Sequence, residues 1–166
     1  MQTERLDITP LDLQDAGFIL ELVNDAQWLA FIGDKDVHTL DDARHYLRTG
    51  PLAMYAQYGF GLWRVSLRAT GEALGLCGLV RREGLDDVDI GFAFLPAHRG
   101  QGYALEAARA VLAHGFGPLG LPRIVAITLP HNQRSRQLLE KLGMTLQRAL
   151  RLPADGPEKL LYAAEP

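Results

Sequence analysis

Arg99-Gly100-Gln101-Gly102-Tyr103-Ala104 is the stretch on which the fold of this chain turns. Before it runs Val88-Asp89-Ile90-Gly91-Phe92-Ala93-Phe94-Leu95, an apolar, strand-like segment closed by Pro96. After it, Ala104, Ala107, Ala108, Val111 and Leu112 recur at helical spacing,. A glycine-containing turn that opens a helix leaves the first backbone N–H groups unpaired, at the positive end of the helix dipole. Such a turn seats a phosphate or pyrophosphate, and Gly100 and Gly102 admit close backbone approach because they lack Cβ. The alternative is that the two glycines only shape a tight strand-to-helix turn. The stretch has neither the Gly-Lys-Ser/Thr of a P-loop nor the third glycine of G-x-G-x-x-G, which sets it apart from both nucleotide-binding motifs.

Outward from this stretch, the chain reads as one continuous α/β sequence. Arg5-Leu6-Asp7-Ile8-Thr9 alternates as a first strand, stopped by Pro10,. Asp12 caps a helix carrying Ala16, Ile19, Leu20 and Val23 on one face, and Thr39-Leu40-Asp41-Asp42 opens a second, ended by Gly50-Pro51,. Gln27 to His38 between them reads as irregular. Trp63–Leu67 and Leu74–Arg81 form an antiparallel hairpin leading to Val88–Leu95,. Beyond the central helix come the strand Arg123–Leu129, a helix from about Gln133 to Leu142, and two closing strands, Met144–Leu152 and Glu158–Ala163. The expected architecture is a mixed, mostly antiparallel sheet of about seven strands with about four helices and one strand–helix–strand crossover.

The bulk properties suit this picture. The chain's 166 residues are expected to form a single domain spanning 1–166,. A net charge of -3 argues against a nucleic-acid partner, which usually calls for a basic face,. The lone Cys77 lies in an apolar run and reads as a small buried hydrophobe, and no metal-ligand spacing is present, so no metal is expected,. Met1-Gln2-Thr3-Glu4-Arg5 lacks a signal-peptide pattern and no apolar stretch is long enough to span a membrane, so a cytoplasmic protein without a membrane partner is expected,.

The element order and the central turn together resemble the GNAT N-acetyltransferase superfamily, whose pyrophosphate loop is Gln or Arg, two residues, Gly, one residue, then Gly or Ala; Arg99, Gly102 and Ala104 stand at those positions. Asp89-Ile90-Gly91, Pro96 to Ala104, Asn132 with Ser135, Glu140-Lys141-Leu142-Gly143 and the opening Thr3-Glu4-Arg5-Leu6 are similar to the branch that acetylates ribosomal-protein N-termini. The resemblance implies a GNAT fold with a V-shaped splay between strands 4 and 5. It implies acetyl-CoA as co-substrate, its pantetheine arm pairing with backbone groups of Phe92, Ala93 and Phe94. Its pyrophosphate would rest on the N–H groups of Arg99, Gly100, Gln101, Gly102, Tyr103 and Ala104, with Arg99 adding charge.

The resemblance also assigns roles to Asn132 and Ser135. Asn132 either contacts the cofactor, caps the following helix, or both. Many members carry a Tyr seven residues after this Asn as general acid for the CoA thiolate; Leu139 stands there and has no proton to give. Ser135 is the matching catalytic candidate, the alternative being a first-turn Ser that satisfies backbone groups. Asp89 is the candidate for handling the amine proton, the alternative being a solvated strand-end carboxylate; Glu83 and His38 are weaker candidates. Trp28, Phe31 and Tyr55 are expected to line the acceptor side. The expected activity is transfer of acetyl to a primary amine, on a protein N-terminus or a small molecule, by direct attack in a ternary complex. The alternative is a non-catalytic acyl-CoA-binding sensor or interaction module, which the missing Tyr keeps open. An uncovered edge among the last strands would allow a homodimer.

Overall fold

A computed structural model describes all residues 1–166. Its seven strands form one sheet in the order β1-β2-β3-β4-β5-β7-β6. The strands are β1 (Leu6–Pro10), β2 (Leu62–Leu67), β3 (Ala73–Val80), β4 (Val88–Phe94), β5 (Ile124–Thr128), β6 (Thr145–Arg151) and β7 (Glu158–Ala164). Only β4 and β5 run parallel; every other neighbouring pair is antiparallel. The crossover between these two is the central helix expected from the sequence.

There are six α-helices rather than about four: α1 (Ala16–Val23), α2 (Ala26–Phe31), α3 (Leu40–Thr49), α4 (Pro51–Tyr58), α5 (Tyr103–Phe116) and α6 (Gln133–Lys141). The two additional helices have definite causes. Asp25 caps α2, its carboxylate accepting from the N–H groups of Gln27 and Trp28, so the start of the stretch expected to be irregular is helical,. Gly50-Pro51 ends α3 as expected, but Pro51 then occupies the first turn of α4, where its fixed φ and missing N–H cost nothing,.

The two faces of the sheet carry different cores. Ile8, Val65, Cys77, Leu79, Ile90 and Phe94 pack with Ala107, Ala108 and Val111 of α5. On the other face Leu76 packs with Ile19, Leu22, Trp28, Ala43 and Leu47 of α1–α3. The period-two alternation of β4 sorts its side chains between these layers, Ile90 and Phe94 toward α5 and Ala93 toward α1 and α3,.

The feature that makes a site is the failure of β4 and β5 to stay together. They pair at Val88↔Ile124 and Asp89↔Val125 and then part. From Ile90 on, β4 is held only by β3, through Phe94↔Gly75, and β5 only by β7. The sheet opens into a V with two unpaired strand edges as its walls and Asp89 at its vertex.

Candidate active site

The V is the main cleft of the molecule, about 630 Å³ in volume. β4 from Asp89 to Phe94 and β5 from Ala126 to Thr128 form its walls. The glycine turn lies at the C-terminal end of β4, α6 on one flank, and Trp28 and Phe31 of α2 on the other.

The turn has the conformation the sequence calls for. Gly100 and Gly102 both have positive φ, +76° and +81°, and a side chain at either would be strained. Gly102 is the N-cap of α5 and offers no side-chain cap, and the first bond within the helix is from the Glu106 N–H to the Gly102 carbonyl at 3.1 Å. The N–H groups of Tyr103, Ala104 and Leu105 therefore have no partner within the helix. Gly100, Gly102, Tyr103, Ala104 and Leu105 all border the cleft. Gln101 does not: its side chain donates back to the Ala97 carbonyl.

Two residues brace this turn from behind. Arg5 donates to the Gln101 carbonyl at 3.0 Å, to Glu106 Oε1 at 2.7 Å, and lies 4.4 Å over the Tyr103 ring. Glu106 also accepts from the Thr3 hydroxyl and from the Arg5 backbone N–H. Partial burial works against ionisation of Glu106, but these donors outweigh it and hold the carboxyl below the usual range,. Arg5 had no role assigned from sequence. Its position was legible, but the partner that gives it a function lies on α5.

Arg99 is placed differently from expectation. Its guanidinium is bound to the Asp25 carboxylate, the cap of α2. Rather than standing free to add charge at the turn, Arg99 joins the turn to the helix that carries Trp28 and Phe31. Phe31 in turn contacts the His131 ring, centroids 5.5 Å apart, so α2 reaches across the mouth of the V to the β5–α6 connection.

Asn132 and Ser135 meet as the spacing suggested. Asn132 caps α6, its Oδ1 accepting from the Ser135 N–H at 3.3 Å, and both residues line the cleft. That bond uses the Ser135 backbone and leaves its hydroxyl without a protein partner. Leu139 is 1% exposed and belongs to the α5-side core.

Asp89 is not a solvated strand-end carboxylate. It is 1% exposed at the vertex of the V and accepts from Arg82 Nε at 2.8 Å. Burial pushes its carboxyl above the ordinary range, while Arg82 and, more weakly, Lys159 pull it back,. Glu83 and His38 lie outside the cleft lining, and His38 pairs with Asp36 at 3.0 Å on the surface.

The acceptor-side residues divide. Trp28 and Phe31 line the cleft, and the buried indole N–H of Trp28 has no acceptor in the protein. Tyr55 does not line it. Its hydroxyl donates to the Leu62 carbonyl and accepts from the Leu11 N–H at 3.1 Å, tying α4 to β2 and the end of β1, and burial pushes the phenol up to about 12. Tyr55 is thus a structural tie. Tyr46 of α3 reaches the cleft instead, with its phenol pushed up by burial. Burial likewise pushes the Cys77 thiol up, and the residue lies in the core at 0% exposure, so it is no nucleophile,.

A parallel strand pair that parts to expose two edges, with a glycine turn and a free helix start at one end, can accept an extended ligand with hydrogen-bonding groups along its length and an anionic group at its end. Residues 5–145 match the family described as acetyltransferase (GNAT) domain, and the chain belongs to that family of acetyltransferases. It is 28% identical over 152 residues to the uncharacterized N-acetyltransferase YoaA of Bacillus subtilis, covering 91% of this chain and 85% of that one. It is 40% identical to the uncharacterized protein YkkB of the same organism over a shorter stretch of 96 residues, 57% of this chain and 56% of that protein. The crystal structure of an acetyltransferase from Agrobacterium tumefaciens superposes with a TM-score of 0.84 at 27% identity, over 100% of this chain and 94% of the other. At the level of fold alone, a putative ribosomal-protein-serine acetyltransferase from Vibrio cholerae is also similar, with a TM-score of 0.79 at 18% identity over 99% and 96% of the two chains.

Proposed function

We propose that this protein transfers the acetyl group of acetyl-CoA to a primary amine by direct attack in a ternary complex. The single observation that carries the reading is the V itself: unpaired edges on β4 and β5 beyond Asp89↔Val125, leading to the free N–H groups at the start of α5. The pantetheine arm, with two amides, takes the place of a missing strand along Phe92, Ala93 and Phe94. The pyrophosphate takes the N–H groups of the turn, with Gly100 and Gly102 as the point of closest backbone approach. Relatives named N-acetyltransferases support nitrogen as the atom acylated.

The chemistry follows from the residues around the vertex. The amine nitrogen attacks the thioester carbonyl carbon, and a β4 backbone N–H near Phe92–Phe94 holds the developing oxyanion. The amine sheds a proton toward Asp89, directly or through water, and a carboxyl raised by burial is a better base than a free one,. The C–S bond then breaks, and the Ser135 hydroxyl hydrogen-bonds the departing thiolate, which takes its proton from solvent. No covalent acyl-enzyme is required. Loss of the family's tyrosine at Leu139 removes a proton donor but leaves Ser135 in the same cleft.

Release of CoA thiol from acetyl-CoA tests this against a panel of small amines and of Ser- and Ala-initiated peptides. Amine-dependent release with an acetylated product supports the proposal. Tight acetyl-CoA binding with no release to any acceptor favours the non-catalytic sensor.

A further inference from the structure

Charge in the cleft is strongly one-sided. Asp89 is the only carboxylate among its lining residues, against Lys35, Arg82, Arg99, Arg134, Lys141 and Lys159. Arg99 is neutralised by Asp25, and Arg134 and Lys141 lie on α6. The other three come from separate parts of the chain: Lys35 from the α2–α3 connection, Arg82 from the β3–β4 connection, and Lys159 from β7.

All three line the cleft together with Asp89. Arg82 donates to the Asp89 carboxylate, and Lys159 Nζ donates only to the Leu152 carbonyl, at 2.9 Å. Lys35 has no ion-pair partner: its neighbour Asp36 is engaged by His38, and Asp34 accepts from the Asp36 N–H. Partial burial lowers the affinity of Lys35 for its proton, and Arg82 and Lys159 lower it further by repulsion. Lys35 and Arg82 are exposed and Lys159 half-buried, and the cleft that they line holds a single carboxylate, so its unbalanced charge selects a counter-charge,.

The cofactor's pyrophosphate does not account for this surplus. The vertex at Asp89 and the last residue of β4, Phe94, are five residues apart, roughly 16 Å along a strand at ~3.3 Å per residue. The glycine turn lies beyond Phe94, so the cationic recess is at the opposite end of the V from the phosphate seat.

On the acetyl-transfer reading above, we infer that the acceptor amine carries an anionic group of its own, a carboxylate or a phosphate, held by Lys35, Arg82 and Lys159. Asp89 then faces the amine while the three cations face the anion. A polycation meets a recess of its own sign and is disfavoured.

The test uses matched acceptors: L-serine against L-serinamide, phosphoethanolamine against ethanolamine, and spermidine. Each is measured as kcat/KM for CoA release by the wild-type protein and by Lys35→Gln/Lys159→Gln. The anionic member of at least one pair is expected to be preferred by the wild type by about tenfold or more, the order expected for charge-assisted hydrogen bonds. The serine pair reports a carboxylate and the phosphoethanolamine pair a phosphate. The preference should collapse toward unity in the variant; taking the wild-type ratio against the variant ratio cancels the differing basicities of the amines. Circular dichroism and acetyl-CoA affinity check that the variant is folded, and the single substitution Lys35→Gln, at an exposed side chain, takes its place if it is not. Transfer that favours spermidine, or a ratio unmoved in a folded variant, overturns the inference and leaves acetyl transfer intact. No transfer to any amine, these and the peptides together, overturns both.

Discussion

The Arg99 guanidinium and the Asp25 carboxylate are bound to one another, and through that contact the glycine turn and helix α2 form one unit. Asp25 caps α2 and binds Arg99 with the same carboxylate oxygen. The residue that opens the glycine turn therefore also orients the helix that carries Trp28 and Phe31 to the cleft. A side chain expected to serve the cofactor alone is shared between the glycine turn and α2.

This predicts coupling. Asp25→Ala loses an N-cap, worth about 1 kcal/mol, and strands a partly buried guanidinium. Arg99→Ala strands the carboxylate in the same way. Calorimetric titration with acetyl-CoA on a double-mutant cycle should give a non-additive loss of affinity, since the two residues share one interaction. Strictly additive effects would mean that the turn and α2 are independent.

Asp89→Asn should change the pH dependence of kcat/KM. Burial raises the Asp89 carboxyl, so activity that needs its ionised form falls as pH drops through a value above the ordinary carboxylate range. The Asn variant should lose that acid limb and most of its rate. The same upward shift acts on stability in the opposite direction: a carboxyl raised in the folded state destabilises the fold as pH rises from the unfolded carboxylate value to the folded one. Thermal melts across that window should rise more steeply toward acid for the wild type than for the variant. An unshifted rate profile at normal rate would remove Asp89 from the chemistry.

Ser135→Ala should lower kcat by about tenfold, the ~1.5 kcal/mol of one hydrogen bond to a charged group, with little change in acetyl-CoA affinity. Its backbone bond to Asn132 is retained in the variant, so α6 should keep its cap. Asn132→Ala, by contrast, loses the cap and should cost about 1 kcal/mol of stability. Equal loss of stability in both variants would return Ser135 to a structural role.

Tyr55→Phe separates the structural tie from the site. Its hydroxyl bonds the backbone of Leu11 and Leu62. Removing it leaves two polar groups wanting partners, at about 1–3 kcal/mol, roughly 2–12 °C in Tm for a domain of this size. The KM for the amine should not move. A KM effect without a stability loss would put Tyr55 back on the acceptor side.

How far the residues themselves disclosed this site depends on the range of the interactions involved. The turn, β4, β5 and the Asn132–Ser135 pair were legible because each is a local pattern: glycine at positive φ, alternation, and a cap three residues before its partner. Helices α2 and α4 were missed where a local signal had a second meaning, since Pro51 ends one helix and begins the next, and Asp25 caps a helix of only six residues. The buried pairing of Asp89 was not legible because it depends on Arg82 and, more weakly, Lys159 arriving from two other elements. Tyr55 was nominated and Tyr46 overlooked for a similar reason: which aromatic on α3 and α4 faces the cleft is set by how those helices cross the sheet.

The most direct test of the account is acetyl-CoA binding to Gly102→Asp, measured by calorimetry beside the wild-type protein. Gly102 has φ +81° at the start of α5, and an aspartate there sets a negative charge against the seat proposed for the pyrophosphate. Gly102→Ala controls for backbone strain, which costs about 1–2 kcal/mol for a residue forced left-handed. The account predicts micromolar-range binding by the wild type, on the scale of ordinary substrate affinities, a modest loss in the alanine variant, and no measurable binding in the aspartate variant while it remains folded. Undiminished acetyl-CoA affinity in a folded Gly102→Asp protein would contradict it.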